Sequence, residues 1–262
     1  MPKRRLDSLL AERGLFASRS RAAASVMAGE VLVGAGRRRA AKPGELVDPE
    51  EPLSVAERPA YVSRGGIKLA NALASSGLQV RGRRALDAGA STGGFTDCLL
   101  QHGTQEVVAL DVGYGALALS LRRDPRVHVL ERTNVRLLTP GSLPFVPDVA
   151  VIDVSFISLA KVLGPVLACL AERFDVLALI KPQFELGRGR VGKGGVVREA
   201  AARREALVGV GRAASGLGAS VLGYHSSGLP GPKGNRETFV WLAEASRGTG
   251  APLERLAREV EP

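Results

Sequence analysis

The stretch that decides the fold is "RRALDAGASTGGFTDCLLQHG", Arg83–Gly103. Its first part, "RRALDAGAS", reads as a buried strand, and "GGFTDCLLQHG" reads as a helix. A glycine-rich turn between a first strand and a helix is where doubly wound folds hold an anionic or nucleotide ligand. The same alternation continues down the chain. "EVVALDVG", "RVHVLER", "DVAVIDV" and "DVLALIKP" are strand-like, and "ALALSLRRD", "SLAKVLGPVLACLAERF" and "EAAARREALVGVGRAASGLG" are helix-like. Strand and helix in alternation predict a parallel sheet covered on both faces, a doubly wound α/β domain. Pro165 falls inside the third helical segment and should kink or divide it.

The 262 residues are 45% hydrophobic but only 4% aromatic, so the core is built from Val, Leu, Ile and Ala. With 36 Lys and Arg against 26 Asp and Glu, the net charge of +10 favours a polyanionic partner. Residues 1–42 carry ten of the bases against three acids, which concentrates that charge at the N-terminus. The two cysteines, Cys98 and Cys169, lie far apart in apolar segments, which predicts a reducing compartment and neither a disulfide framework nor a zinc cluster. No apolar run approaches the ~18 residues of a membrane helix, so a soluble cytoplasmic protein with no metal is expected, as a monomer or weak dimer.

Residues 1–60 form a separate small unit in this reading. "RRLDSLLAERGLF" has helical spacing closed by Gly14, and "SRSRAAASVMAGE" is a second helix capped by Ser18 or Ser20 and stopped at Gly29. "EVLVGAG" is a short strand and turn, "RRRAAKPGELV" a basic loop leading to another strand, and the proline- and acid-rich "DPEEPLSVAERPAYVSRGG" a linker. The pattern from Arg5 to Val33 resembles the S-four-type RNA-binding module, a small α+β unit of a ribosomal protein and several RNA-modifying enzymes. That resemblance implies RNA contacts from Arg4, Arg5, Arg19 and Arg21. The triplet Arg5–Asp7 also resembles the catalytic motif of pseudouridine synthases, but here it opens a helix of the small unit, and Asp7 is read as a helix-starting acid.

In the larger unit, residues 61–246, glycines at 89, 93 and 94 depart from the dinucleotide G-x-G-x-x-G pattern. Asp87 two residues before Gly89 fits the acidic-x-Gly motif of S-adenosylmethionine enzymes better. That ligand carries an ammonium and a carboxylate but no phosphate, so an acid beside a tight turn makes chemical sense. Ala90, Ser91, Thr92 and Gly94 complete the loop. Asp111, ending the second strand with Val112 behind it, can accept hydrogen bonds from both ribose hydroxyls, and Asn134 after the third strand is placed to approach adenine.

Four residues belong together. Lys68 lies in "SRGGIKLANAL", a capped helix; Asp153 ends the fourth strand; Lys181 ends the fifth; and Glu237 sits in "GNRETFVWL". Strand ends on the carboxyl side of an open sheet converge on the ligand crevice. The set, with "YVSRGGIKLA", "LDAGASTGGFTDCLL", "ALDVGYGAL", "DVSFISL" and "IKPQFE", resembles the Lys-Asp-Lys-Glu tetrad of the FtsJ-like ribose 2′-O-methyltransferases. With the N-terminal module attached, the whole is most similar to the TlyA family, also described as haemolysin-like. The resemblance implies a Rossmann-like methyltransferase sheet, S-adenosylmethionine as cofactor, and ribosomal RNA in the ribosomal subunits as substrate. It further implies cytidine ribose as the target and sensitivity to ribosome-targeting peptide antibiotics. Lys181 would then activate the hydroxyl, Asp153 and Glu237 hold the network, and Lys68 position the hydroxyl or stabilise the oxyanion. Burial and a second ammonium favour a neutral amine, whereas carboxylates favour the charged one.

Beyond Lys181 a glycine-rich loop carries six bases, Arg188, Arg190, Lys193, Arg198, Arg203 and Arg204, against one acid, Glu199, and with Arg64 it offers a path for an RNA backbone. Phe184 and Phe156 are candidate stacking platforms for a flipped base, with buried core the favoured role for Phe156. Residues 247–262 are read as a tail. The competing function is a non-catalytic RNA-binding ribosome-assembly factor; a pore-forming haemolysin would need a membrane-inserting segment that the sequence does not offer.

Overall fold

The computed structural model describes residues 2–56, 59–192, 194–231 and 233–262, with Arg188 described through its backbone alone. The chain divides into two units, Met1–Pro59 and Ala60–Pro262.

In the first unit, α1 (Leu6–Glu12) and α2 (Arg19–Met27) bury Leu6, Leu9, Leu10, Ala22 and Val26 against Val31 and Val33 of β2 (Val31–Val33). Ser18, rather than Ser20, caps α2 by accepting a hydrogen bond from the Arg21 amide at 3.2 Å. Arg4 and Arg5 form β1 (Arg4–Arg5), paired antiparallel with β4 (Leu46–Val47). Two segments differ from expectation. Arg38 and Arg39 of the basic loop form β3 (Arg38–Arg39), and the expected linker supplies β5 (Leu53–Val55); both pair with β2. The alternation of Leu53, Ser54 and Val55 suits an edge strand despite the surrounding prolines.

The second unit opens with α3 (Arg64–Ser76), closed by Gly77 in the left-handed conformation. There follow β6 (Arg84–Ala88), α4 (Gly94–Gln101), β7 (Glu106–Leu110), α5 (Leu119–Arg122), β8 (Val127–Leu130), β9 (Val149–Ile152), α6 (Leu163–Leu167), β10 (Asp175–Ile180), α7 (Pro182–Glu185), α8 (Ala200–Gly216), β11 (Ala219–Ser226), β12 (Thr238–Glu244) and α9 (Leu253–Val260). The sheet order is β11-β12-β10-β9-β6-β7-β8. Because side chains alternate across a strand, Ala85, Val107, Val149 and Leu177 face the cluster containing α3, α4 and Leu121 of α5. Leu86, Val108, Ala150 and Val176 face the cluster containing α6, α8 and α9. The doubly wound α/β architecture is therefore present.

One strand departs from the all-parallel expectation: β12 runs antiparallel to both β10 and β11. Only residues 227–237 separate β11 from β12, too few for a crossover helix, so the chain turns straight back. The expected helix from Ser158 onward is divided: a 3-10 turn, Leu159–Lys161, is followed by five-residue α6. Pro165 lies in the first turn of α6, where its missing N–H costs nothing. The segment read as a tail contains α9, which buries Ala257, and Glu261 beyond it pairs with Arg203 of α8 at 2.8 Å with both side chains buried.

Candidate active site

The register of the sheet assembles the site. Ala88 pairs with Leu110 and Ile152, and Ile152 with Ala178, so the next residues, Gly89, Asp111 and Asp153, emerge side by side at the carboxyl edge. Ile180 is opposite Thr238 on the reversed strand, which brings Lys181 and Glu237 to the same edge from opposite chain directions. The antiparallel strand is thus what delivers Glu237.

Gly89 has φ +93, and a Cβ there would lie 2.5 Å from the Asp153 carbonyl oxygen. Only glycine allows that approach. Ser91 also takes a positive φ, of 49°, and its amide donates to Asp111 Oδ2 at 2.8 Å while the Gly113 amide donates to Oδ1 at 2.7 Å. Asp111 therefore fixes the loop and still faces a cleft of about 440 Å³, walled by Leu110, Val112, Asn134, Val135 and Ile157. Asn134 caps the 3-10 turn Val135–Leu137, its Oδ1 accepting from the Arg136 amide. A second cleft adjoins, lined by Ala90, Thr92, Gly94, Arg64, Lys68 and Lys181. A third, about 400 Å³, holds Lys68, Lys181, Glu237, Phe156, Phe184 and Asn235. Asp153 and Ser155 line all three.

The four expected catalytic residues meet in the third cleft as two ion pairs. Lys68, on the buried face of α3 with Leu69 and Ala72, pairs closely with Glu237. Lys181 lies 2.5 Å from Asp153 Oδ1 and donates to Ser155 Oγ at 3.0 Å. Lys68 and Lys181 are 8% and 9% exposed, so both ammonium groups face the cleft rather than bulk solvent. Ser63 precedes α3 at the capping position, but its hydroxyl makes no cap hydrogen bond.

Asp87 does not reach the clefts. It is fully buried beneath the turn, with Oδ2 accepting from Thr96 Oγ1 at 2.6 Å and Oδ1 without a partner. Burial pushes its carboxyl up to about 7, against the Thr96 hydrogen bond that lowers it and with Asp153 adding to the rise. Phe156, expected in the core, is 91% exposed, has φ +64 and packs its ring 5.1 Å from that of Phe184. The short apolar pattern of "SFISL" does not distinguish a core residue from one projected by a turn.

The expected RNA contacts are scattered. Arg64 lines the second cleft and donates to the Pro230 carbonyl at 3.2 Å. Arg190 is exposed and pairs with Glu205 at 2.7 Å. Arg188 lies in a 3-10 turn, and Lys193 is outside the described residues. In the first unit, Arg5 and Arg19 both pair with buried Asp7, Arg4 pairs with Glu12, and Arg21 is exposed. Asp7 starts α1 as expected, and the Arg5 hydrogen bond holds its carboxyl down at about 2.

Two residues escaped the sequence reading. Ser155 follows Asp153 at the same strand end, a position that could have flagged it. Asn235, 2% exposed, accepts from the Val197 amide at 2.9 Å and donates to the Gly195 carbonyl at 2.8 Å, tying the glycine-rich loop to the strand of Glu237. No spacing rule reveals that bond.

The residues fit S-adenosylmethionine. Gly89 keeps the turn open, Asp111 presents a carboxylate at the strand end, and apolar side chains wall the cleft beyond it. The buried, unpartnered Asp87 oxygen supplies negative charge beneath the loop. Among the described residues no group of His, Cys, Asp and Glu could hold a metal ion, and no helix is long and apolar enough to cross a membrane.

Comparison with known proteins identifies the family. The chain is 50% identical over 241 residues to the 16S/23S rRNA (cytidine-2′-O)-methyltransferase TlyA of Mycobacterium tuberculosis, covering 91% of this chain and 89% of that protein. It is 41% identical over 204 residues to Hemolysin A of Brachyspira hyodysenteriae, covering 78% and 84%. A solved structure from Streptococcus thermophilus, described provisionally as a hemolysin, superposes with a TM-score of 0.74 at 40% identity, covering 99% of this chain and 96% of that one. The model of the FtsJ-like methyltransferase family matches residues 61–244, and the chain belongs to that family.

Proposed function

We propose that the protein transfers a methyl group from S-adenosylmethionine to the 2′-hydroxyl of a cytidine ribose in ribosomal RNA, acting on ribosomal subunits in the cytosol. The observation that carries this reading is the junction at Asp153 and Ser155, where a cleft suited to a nucleoside meets the two lysine–carboxylate pairs. S-adenosylmethionine, when bound, supplies an electrophilic methyl group. A ribose hydroxyl is a poor nucleophile and needs a partner for its proton as it attacks.

Lys181 Nζ, at the edge shared by the second and third clefts, is the group placed to take that proton. Asp153 and Ser155 fix where the amine stands, and the Asp153 carboxylate offsets the positive charge of the ammonium that forms when Nζ keeps the proton. Lys68, held by Glu237, points a second ammonium into the same cleft and stabilises the oxygen as it gains negative charge. Phe156 and Phe184 present exposed ring surface beside the four residues, suited to stacking a base turned out of its helix. The basic N-terminal unit, of the S-four type, supplies an anchoring surface for RNA, and loss of the modification would alter sensitivity to ribosome-targeting peptide antibiotics.

Lys181→Ala tests the assignment. Methyl transfer should fall by at least about 100-fold while S-adenosylmethionine still binds; normal transfer in this variant removes Lys181 from its role. A non-catalytic RNA-binding assembly factor would bind subunits equally well with or without the four residues.

A further inference from the structure

The two loops that carry the reacting groups are joined by a residue outside the tetrad. Glu185 closes α7, four residues after Lys181. Its Oε2 accepts from Ser158 Oγ at 2.6 Å and its Oε1 from the Leu159 amide at 2.9 Å. Ser158 in turn caps the 3-10 turn Leu159–Lys161, its Oγ accepting from the Ala160 amide at 3.2 Å. One carboxylate from the β10 loop therefore holds the far end of the β9 loop.

What lies between the ends of that β9 loop is the working segment. Asp153 and Ser155 hold the Lys181 amine, and Phe156 follows with φ +64 and an almost fully exposed ring. A bulky side chain at positive φ is strained and persists only where its surroundings over-determine it. The near end is fixed by the sheet, through the Asp153 amide on the Ala88 carbonyl at 3.0 Å. The far end is fixed by Glu185. Burial raises the Glu185 carboxyl while the Ser158 and Leu159 donors lower it, so those donors stabilise a carboxylate in a partly desolvated place.

We infer that Glu185 is a positioning residue for this reaction: it braces the segment Asp153–Ser158 against the Lys181 loop, and through Ser155 and Phe156 it sets the amine and the base platform together. The inference rests on the reading of Lys181 as the proton acceptor.

The test compares Glu185→Ala with Glu185→Gln in the full-length protein. Alanine removes both acceptors. Glutamine can still accept from the Leu159 amide through Oε1 and donate to Ser158 Oγ through Nε2, so it is the conservative rescue. With ribosomal subunits as substrate, Glu185→Ala should lower kcat by about 10–100-fold and shift the pH profile of kcat, leaving the Kd for S-adenosylmethionine within about threefold. Glu185→Gln should recover kcat to within about fivefold. Melting curves of both variants identify a general loss of fold. An unchanged kcat and pH profile in Glu185→Ala overturns the inference, as does an equal loss in the glutamine variant.

A second readout is independent of activity. Acylation of Lys181 by an amine-reactive ester, followed by peptide mass spectrometry, should quicken in Glu185→Ala and stay near wild type in Glu185→Gln, because the unbraced segment holds Ser155 less firmly against the amine. If wild-type protein methylates nothing but this difference appears, the brace stands and the proposed chemistry falls. Equal acylation in all three proteins refutes the brace.

Discussion

Replacing Asp87 by Asn should make the ligand-free protein more stable, and by an amount that depends on pH. The native carboxyl is fully buried, has one hydroxyl partner and one unpartnered oxygen, and is pushed by burial from 3.8 to about 7. A carboxyl whose folded value is raised binds its proton more tightly when folded, so stability falls as pH rises from about 4 to about 7 and is then level. Between pH 5 and pH 8.5 the linkage amounts to roughly 2–3 kcal/mol. Asparagine keeps the shape and the acceptor for Thr96 but does not titrate. The melting temperature of Asp87→Asn minus that of wild type should therefore widen by roughly 5–10 °C between those pH values, at about 2–4 °C per kcal/mol. Titrating groups that do not interact with Asp87 cancel in the difference, whereas Asp153 and Asp111, which feel its charge, contribute to it. The assay is differential scanning calorimetry of both proteins across pH, repeated with S-adenosylmethionine. With ligand the advantage should shrink or reverse, because the variant lacks the negative charge beneath the turn that favours a cationic ligand in the cleft above it, and binds about tenfold or more weakly. A difference in melting temperature that stays constant across pH would refute the reasoning.

Gly89→Ala should destabilise the protein by about 2 kcal/mol or more, since its Cβ meets the Asp153 carbonyl at 2.5 Å in a backbone of φ +93; calorimetry and cofactor titration should show both losses together. Phe156→Ala should leave the melting temperature within about 2 °C because the ring is 91% exposed. Its KM for ribosomal subunits should rise by about 5–100-fold, the equivalent of one lost stacking contact, as steady-state methylation would show.

Much of the site was legible because strand ends are legible. Apolar runs finishing in Asp111, Asp153 and Lys181 announce where parallel strands release their side chains, and register then aligns them without further information. Lys68 was legible only through its company: alone, it is an ordinary helix lysine, and its burial comes from pairing with a residue 169 positions away. The reversal of β12 depends on loop length rather than on any residue, and it alone explains how Glu237 arrives opposite Lys181. Phe156 was favoured for the core although the stacking role it was also offered needs the exposure it has. Apolar character suggested burial for a ring that a strained turn pushes outward, and the motif that marks Asp87 says nothing of how deeply the fold encloses it. The terminal helix was missed although Leu253, Leu256, Ala257 and Val260 repeat at helical spacing, because its closing ion pair, Arg203 with Glu261, spans 58 residues.

The central claim is tested most directly by transfer of labelled methyl groups from S-adenosylmethionine to purified small and large ribosomal subunits, followed by mapping of 2′-O-methylated nucleotides. Wild-type protein should label a cytidine ribose in at least one subunit, and Lys181→Ala should not. Absence of label from both subunits, with the cofactor shown to bind, would contradict the account.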